Sequence, residues 1–337
     1  MSVNIRDIAR ETNLSIATIS RVLHNKSNVR EKTKKKVLAT MQRLNYDPQE
    51  TIPLMKKVRT HSLGLVIPHF TMQSNPFYSR SVIKFKEITN AQGYQSILYS
   101  VEEIVQKTIK EFQNGRAGLI AEGLVVFCPH QNWDRYLKIL QDWKVPTVLV
   151  RRETRVPGVP VLMDDDYKGA RLALDHLYNL GHRRIIHIGY TMEGYVQERI
   201  QAYQDFINEH SMPQDLLLLV NGLSEEERVQ WIEEKMTVAE PPTAIFCYSD
   251  FHAILTIKKL KKLGIKVPED CAVIGYNNGY EAELFSPAIT SVDIPVEQMI
   301  SMGIDLISKQ IQGMETESVS IKFTNKLIVR ESCGASL

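Results

Sequence analysis

The stretch "SIATISRVLHN", residues 15–25, has the pattern of a short helix with two unlike faces. Ile19, Val22 and Leu23 recur at helical spacing, which predicts that one face is buried. The other face carries small or hydrogen-bonding side chains and a single long cation, Arg21. A helix with so little bulk on its outer face is suited to lie close against another surface.

Two further helices are predicted on either side of this one. The first begins at Asn4, a good N-cap residue, and ends at "TNLS", where Ser15 can cap the second helix. The third lies in "VREKTKKKVLATMQRLNY", with its apolar positions on one side: Val37, Leu38, Met41 and Leu44. Two short helices and a third that closes their core indicate a helix-turn-helix, whose second helix enters the DNA major groove. Spacing alone also allows a small surface helix of a helical bundle.

The DNA-binding interpretation assigns the polar side chains of the second helix to contacts with bases or phosphates. Arg21 can donate to both O6 and N7 of one guanine. Four other side chains are suited to phosphates, which set the register without reading sequence: Ser15, Thr18, Ser20 and Asn25.

The charge distribution supports a polyanionic partner for this end of the chain. The net charge of the 337 residues is +2, but residues 1–59 carry +8 and the rest carries −6. A basic head on an acidic body indicates that only the head meets nucleic acid.

The body, from Thr60 onward, alternates short apolar runs with amphipathic segments. Nine of these runs are typical of buried strands: "SLGLVIP", "YQSILYS", "EGLVVFC", "VPTVLV", "VPVLM", "RRIIHIG", "LLLLV", "TAIFCYS" and "CAVIGYN". The segment "DYKGARLALDHLYNLG" is typical of a helix. This alternation predicts an α/β body of parallel sheets covered by helices on both faces. Ligands bind such sheets at the carboxyl ends of the strands.

No catalytic, cofactor or metal motif emerges from the sequence. GxSxG, GxxxxGK[ST], HExxH and GxGxxG are absent. His182 and His187 are interpreted as structural, and the triplet Asp164–Asp166 as a helix N-terminus rather than a metal site. The four scattered cysteines, the absence of an apolar leader and the absence of a long apolar run predict a cytoplasmic protein with reduced thiols.

"IRDIARETNLSIATISRVLHN" followed by "KTKKKVLATMQRLNYDP" resembles the signature of the lactose-repressor and galactose-repressor family of bacterial transcription regulators. The resemblance implies that Ile16, Ala17 and Arg21 read bases. It also implies a set of contacts to the sugar-phosphate backbone: Asn4, Arg6, Ser15, Thr18, Ser20 and Asn25.

The family's hinge helix, which wedges a leucine into the minor groove, corresponds to "DPQETIPLMKKVRT". Met55 stands where leucine is usual, and methionine can still act as an apolar wedge. Pro53 is tolerated only in a first turn, so we expect a shortened hinge helix capped near Thr51. A plain linker is the alternative.

The resemblance continues through "NPFYS", "MDDDYKGA", "LGHRRI", "VPEDCAVIGYNN" and "SPAITSVD". It implies two doubly wound subdomains of periplasmic-binding-protein type, joined by three crossovers, with an effector between them. The expected divisions are a helix-turn-helix domain over 1–47, a hinge over 48–60 and an effector-binding and dimerisation domain over 61–337. Within that domain, 61–161 with 292–322 would form one subdomain, and 162–291 with 323–337 the other.

The effector cleft implied by the family has nine positions in this chain: Asn75, Phe77, Tyr78, Arg151, Arg199, Phe246, Ser249, Asp250 and Asn277. Asn277 and Arg151 both stand where an aspartate is frequent. Two guanidiniums facing the ligand would suit a carboxylate or phosphate, so an anionic sugar derivative is one hypothesis. Neutral sugars and nucleobase-like ligands remain open, with Asp250 and Glu193 as candidates to neutralise the arginines.

The expected function is therefore that of an effector-controlled DNA-binding transcription regulator, most often a repressor in this family, and not an enzyme. A two-fold dimer on a near-palindromic operator is expected, because each head reads one half-site. A transport binding protein and a doubly wound enzyme are the rivals. The basic head argues against the first, and the lack of a nucleophile or phosphate loop against the second.

Overall fold

The computed structural model describes residues 5–15, 18–19, 22, 29–44, 60–68, 76–106, 121–127, 133–191, 194–314 and 319–335. The chain divides into two compact units, residues 1–59 and 60–337, and each is described here by itself. No helix among these residues is both long and apolar enough to cross a membrane.

The small unit is helical. Helix α1 covers Ile5–Thr12 and α2 covers Glu31–Arg43, while residues 18–19 and 22 between them are also helical. Their buried side chains form one apolar cluster: Ile8, Ile19, Val22, Val37 and Met41. Burial of Ile19 and Val22 confirms the predicted inner face of the second helix.

Two local contacts refine this unit. The backbone N–H of Thr18 donates to Ser15 Oγ at 3.1 Å, which confirms Ser15 as the cap of the second helix. Leu38 was predicted on the apolar side of the third helix, but it is 48% exposed. The reason is geometric: Val37 and Met41 are one turn apart, and Leu38 lies about 100° around the helix from Val37.

The body contains twelve strands in its described part. They are β1 Ser62–Ile67, β2 Gln95–Ser100, β3 Gly123–Phe127, β4 Thr147–Val150, β5 Val161–Asp164, β6 Ile185–Gly189, β7 Leu217–Leu219, β8 Ala244–Cys247, β9 Ala272–Tyr276, β10 Thr290–Asp293, β11 Ser320–Phe323 and β12 Lys326–Ile328. They form two six-stranded sheets, ordered β11-β5-β4-β3-β1-β2 and β12-β10-β9-β8-β6-β7. All recorded pairings are parallel except β10 with β12, which confirms the predicted parallel architecture.

Helices connect and cover these strands. The remaining labelled helices are α3 Pro76–Ala91, α4 Asp134–Asp142, α5 Asp166–Asn179, α6 Gly194–Glu209, α7 Glu225–Met236, α8 Asp250–Lys262, α9 Tyr280–Leu284 and α10 Val296–Ile311. Helices α3 and α10 pack on each other and on the first sheet, whereas α5 packs on strands of the second. Strands such as β1 and β3 are buried along their whole length, as parallel strands covered on both faces must be.

The chain passes between the two sheets three times. It leaves the first sheet after β5, returns after β10 through α10 to β11, and crosses again to β12. The first subdomain boundary was expected between residues 161 and 162, but β5, which belongs to the first sheet, continues to Asp164. The second was expected between residues 291 and 292, but β10, which belongs to the second sheet, continues to Asp293. The carboxyl ends of both sheets therefore lie next to the crossing points.

Close packing at one helical glycine generates a prediction. A Cβ on Gly169 in α5 would lie 2.2 Å from the hydroxyl of Tyr276 and 2.8 Å from Nδ2 of Asn325. Gly169→Ala should lower the free energy of unfolding of the body by about 1–3 kcal/mol, because both neighbours are buried and must shift. Urea denaturation followed by circular dichroism measures the change.

Gly303 in α10 is the matched control. A Cβ there would meet Val125, Leu162 and Val148 at 3.5–3.7 Å, which is ordinary contact. Because alanine favours a helix over glycine by up to about 1 kcal/mol, Gly303→Ala should be neutral or stabilising. Equal losses in the two variants would contradict the packing argument.

Candidate effector site

The structure describes only part of the predicted DNA-contacting set. Ser15 and Thr18 are described, and their hydroxyl oxygens lie 2.9 Å apart. Seven predicted DNA-contacting residues lie outside the described residues: Asn4, Ile16, Ala17, Ser20, Arg21, Asn25 and Met55. On the effector side the same holds for Asn75 and Glu193, and the side chains of Arg6 and Phe77 are also outside the described part.

The carboxyl ends of the strands bring four charged side chains together. Arg151 directly follows β4, and Asp164 ends the neighbouring strand β5. Asp166 begins α5, the helix that leads from the first sheet to the second, and Arg199 lies in α6. All four residues are at least 94% buried.

These side chains form one continuous ion network, in which Asp166 is shared by both arginines. Arg151 donates from Nε to Asp164 Oδ1 at 2.7 Å and from Nη2 to Asp166 Oδ2 at 3.0 Å. Arg199 donates from Nε to Asp166 Oδ1 at 2.7 Å, and its Nη2 lies 2.6 Å from the same oxygen. Arg199 also donates from Nη1 to the carbonyl of Tyr248 at 2.5 Å.

Two further residues complete the surroundings of the network. The guanidinium carbon of Arg199 lies 3.4 Å from the ring centroid of Tyr276, a cation–π contact. Asn325 donates from Nδ2 to Asp164 Oδ2 at 3.1 Å and to the Tyr276 hydroxyl at 2.7 Å. Sequence reasoning identified neither Tyr276 nor Asn325, because one lies inside an apolar strand and the other in a short polar turn.

The network changes the interpretation of the acidic triplet. Asp165 is the N-cap of α5 and accepts from the Lys168 N–H at 3.1 Å, in keeping with the structural interpretation. Asp164 and Asp166 instead balance the two arginines, a role that the sequence analysis had given to Asp250 and Glu193. Burial raises the pKa of Asp164, and the guanidinium of Arg151 opposes that rise.

Asp250 is engaged elsewhere. Its carboxylate accepts from Ser291 Oγ at 2.6 Å and from the Gly279 N–H at 2.8 Å. Burial raises the pKa of Asp250 to about 7. Ser249, the N-cap of α8, lies with its Oγ 3.0 Å from His252 Nδ1.

The two described aromatic candidates are buried. Phe246 is fully buried in β8, with its ring stacked on His187 at a centroid distance of 4.8 Å. Tyr78 in α3 is 4% exposed, and its ring meets Phe127 edge-on. His187 is also fully buried, and burial lowers its pKa to about 4, consistent with a structural residue.

Backbone geometry marks two of the predicted positions. Arg151 has φ 58° and Asn277 has φ 96°, and Asn278 beside it has φ 49°. Asparagine adopts left-handed conformations readily, whereas at an arginine such a conformation costs about 1–3 kcal/mol. Two independent signals, burial of charge and backbone strain, thus coincide at Arg151, at the carboxyl end of β4.

Arg80, on α3 beside the first sheet, reaches residues of the second sheet. Its Nη1 donates to Asp293 Oδ1 at 2.6 Å and lies 3.5 Å from each of the carbonyl oxygens of Asn277 and Asn278. This contact ties the helix that carries Tyr78 to the turn that carries Asn277. The sequence analysis did not single out Arg80.

The shared carboxylate generates a prediction. Asp166→Ala should lower the free energy of unfolding of the body by about 3–5 kcal/mol, because it leaves the buried Arg199 without a carboxylate partner and Arg151 with Asp164 alone. The adjacent Asp165→Ala is the control and should cost about 1 kcal/mol, the value of a helix cap. Urea denaturation measures both, and similar losses at the two positions would contradict a special role for Asp166.

Comparison with known proteins identifies the families and relatives that this chain resembles. Residues 4–49 match the family described as bacterial regulatory proteins, lacI family, and residues 174–333 match the periplasmic binding protein-like domain. The HTH-type transcriptional regulator RegA of Clostridium acetobutylicum is 30% identical over 99% of this chain and 100% of its own length. The HTH-type transcriptional repressor PurR of Photobacterium profundum is 26% identical over 97% of this chain and 98% of its own.

A solved structure gives the same result for the fold. The complex of the transcriptional regulator CelR with cellobiose has 26% identity, a TM-score of 0.68, and coverage of 97% of this chain and 99% of that one. The helical head, the two parallel sheets and these relatives agree. The chain belongs to the lacI family of bacterial regulatory proteins and is a DNA-binding transcriptional regulator.

Proposed function

We propose that this regulator is a cytoplasmic homodimeric repressor whose operator affinity is set by an uncharged sugar bound between the two subdomains of its body. The observation that carries the sugar assignment is the internal charge balance of the ion network. Arg151 and Arg199 are matched by Asp164 and Asp166.

This balance argues against an anionic effector. An anion entering beside the two guanidiniums would meet two carboxylates at the same place, so no net positive charge attracts it. A paired guanidinium still has N–H groups that can donate, and a paired carboxylate still has lone pairs that can accept. The hydroxyls of a sugar can hydrogen-bond to both, because a hydroxyl is a donor and an acceptor. The cellobiose bound by the relative CelR supports the same class of ligand.

Control of DNA binding follows from linkage. A sugar that prefers one closure state of the subdomains shifts the population toward it, and by reciprocity changes operator affinity by the same factor. Arg80 supports such a mechanism, because its contacts to Asp293 and to the turn at Asn277 depend on the relative position of the two sheets. Whether the sugar releases or recruits the protein depends on which closure state it prefers.

The DNA-binding head is proposed to read a near-palindromic site with one helix per half-site. Ile16, Ala17 and Arg21 are the proposed base-reading residues. The proposed backbone contacts come from Asn4, Arg6, Ser15, Thr18, Ser20 and Asn25, with Met55 as a minor-groove wedge. In the described part, the burial of Ile19 and Val22 supports this orientation, because it turns the opposite face of the helix outward.

The DNA assignment is tested with a fragment selected by binding from a random-sequence pool. Affinity should fall by about a thousandfold or more between about 50 and 200 mM salt, as counterions are released from several phosphates. Arg21→Ala should cost about 1–3 kcal/mol of discrimination against non-selected DNA.

Lys138→Ala removes an exposed positive charge on α4 in the body and is the control for charge. It should change neither the salt dependence of DNA affinity nor the discrimination against non-selected DNA. Mobility-shift titrations measure all of these variants. Salt-independent binding, or equal effects of the two substitutions, would count against a base-reading Arg21.

The effector assignment is tested by titration calorimetry of the full chain with cellobiose, glucose and ribose, and with glucose phosphate as the charged probe. At least one uncharged sugar should bind, and the phosphate ester should bind no more tightly than glucose. Arg151→Ala should weaken binding of that sugar by about tenfold to a hundredfold, the value of a hydrogen bond to a charged group.

Arg155→Ala, an exposed arginine on the same connection, is the matched control and should bind the sugar normally. Circular dichroism confirms that each variant is folded at the temperature used. Tight binding of the phosphate ester alone would overturn the proposal of an uncharged effector, while leaving the DNA assignment untouched.

A further inference from the structure

The body contains a cavity of about 450 Å³ that none of the predicted effector residues lines. It lies between α7 and α8, above strands β6 and β7 of the second sheet. Its volume falls within the range of small-molecule pockets in proteins, about 300–1,000 Å³.

The floor of the cavity is apolar. It is formed by two strands and the two helices, through Ile188, Leu218, Val220, Val229, Ile232 and Leu255. Ile188, Leu218 and Val220 are at least 95% buried, so the floor is part of the packed sheet rather than a mobile surface. A sugar would leave its hydroxyls without partners on such a floor, whereas an apolar group gains by entering it.

The rim of the cavity is strongly basic. Five cationic side chains line it, Arg228, Lys258, Lys259, Lys261 and Lys262, against a single carboxylate, Glu225. Lys259 pairs with Glu233 at 3.2 Å. Within the described part of the chain, no carboxylate lies within ion-pair distance of the other three lysines.

The preference for cations at the C-terminus of α8 explains only part of this positive charge. Lysines in the last turn of α8 interact favourably with its dipole, but Arg228 comes from the first half of α7 and brings its charge to the same opening. His252 also lines the cavity, and burial lowers its pKa to about 4, so it adds no charge near neutrality. An excess of cations around an apolar recess attracts anions.

We propose that this cavity is a binding site for an amphipathic organic anion, with an apolar body on the floor and one acidic group at the lysine rim. The site is separate from the proposed effector cleft and does not depend on the identity of the sugar.

Decanoate is the probe, added to the full chain below its micelle concentration and followed by titration calorimetry. One decanoate should bind per chain. Octanoate should bind about tenfold more weakly, because it buries two fewer methylene groups. The tryptophan fluorescence of Trp231, which packs against the apolar cluster that contains the floor residues Ile188 and Leu218, provides a second signal.

Variants separate the two halves of the site. Val229→Trp fills the cavity from a half-exposed position and should abolish decanoate binding. The double variant Lys258→Gln with Lys262→Gln should weaken decanoate by about threefold to tenfold but leave decanol unchanged, because the alcohol carries no charge. Lys266→Gln, an exposed lysine outside the cavity, is the matched control.

Thermal unfolding verifies that each variant is folded. No binding of decanoate to the unmodified chain, or binding that survives Val229→Trp, would overturn the proposal. A double-lysine variant that changes the association state in sedimentation equilibrium without changing decanoate affinity would also overturn it, since the rim would then serve a contact between chains.

Discussion

The body of this regulator depends on the burial of two guanidiniums and two carboxylates at the crossing between its sheets. Removing such charges from water is costly, and only close pairing with full hydrogen bonding offsets it. Asp166 meets this requirement by serving Arg151 and Arg199 together. Because these four groups come from the end of β4, from β5, from α5 and from α6, the network also holds together the elements at the first crossing.

Much of the architecture could be predicted from the sequence, since the signals are local. Nine apolar runs became strands, and their order along the chain was enough to indicate parallel sheets with covered faces. The strands that were missed are β10, β11 and β12, which are short and mix polar with apolar residues. Such strands owe their existence to neighbours distant in sequence, and no local period reveals them.

The pairing inside the candidate site could not be predicted. Arg151 and Arg199 were selected through family resemblance, but their partners depend on distances that only the folded chain defines. Asp164 and Asp166 flank a residue that serves as an ordinary helix cap, so the triplet looks uniform in sequence although its members differ in role. The hypothesis of an anionic ligand rested on two arginines facing the cleft, and the two aspartates that pair with them argue against it.

The left-handed backbone at Arg151 and Asn277 restricts which side chains can replace them in the proposed effector site. Valine, isoleucine and threonine are disfavoured at such dihedral angles, whereas glycine, asparagine and aspartate adopt them readily. Substitutions at Asn277 that keep the backbone conformation are therefore expected to be to glycine or to short polar residues. New specificities in descendants of this protein should arise mainly at neighbouring positions with extended or helical backbone, where any side chain is admissible.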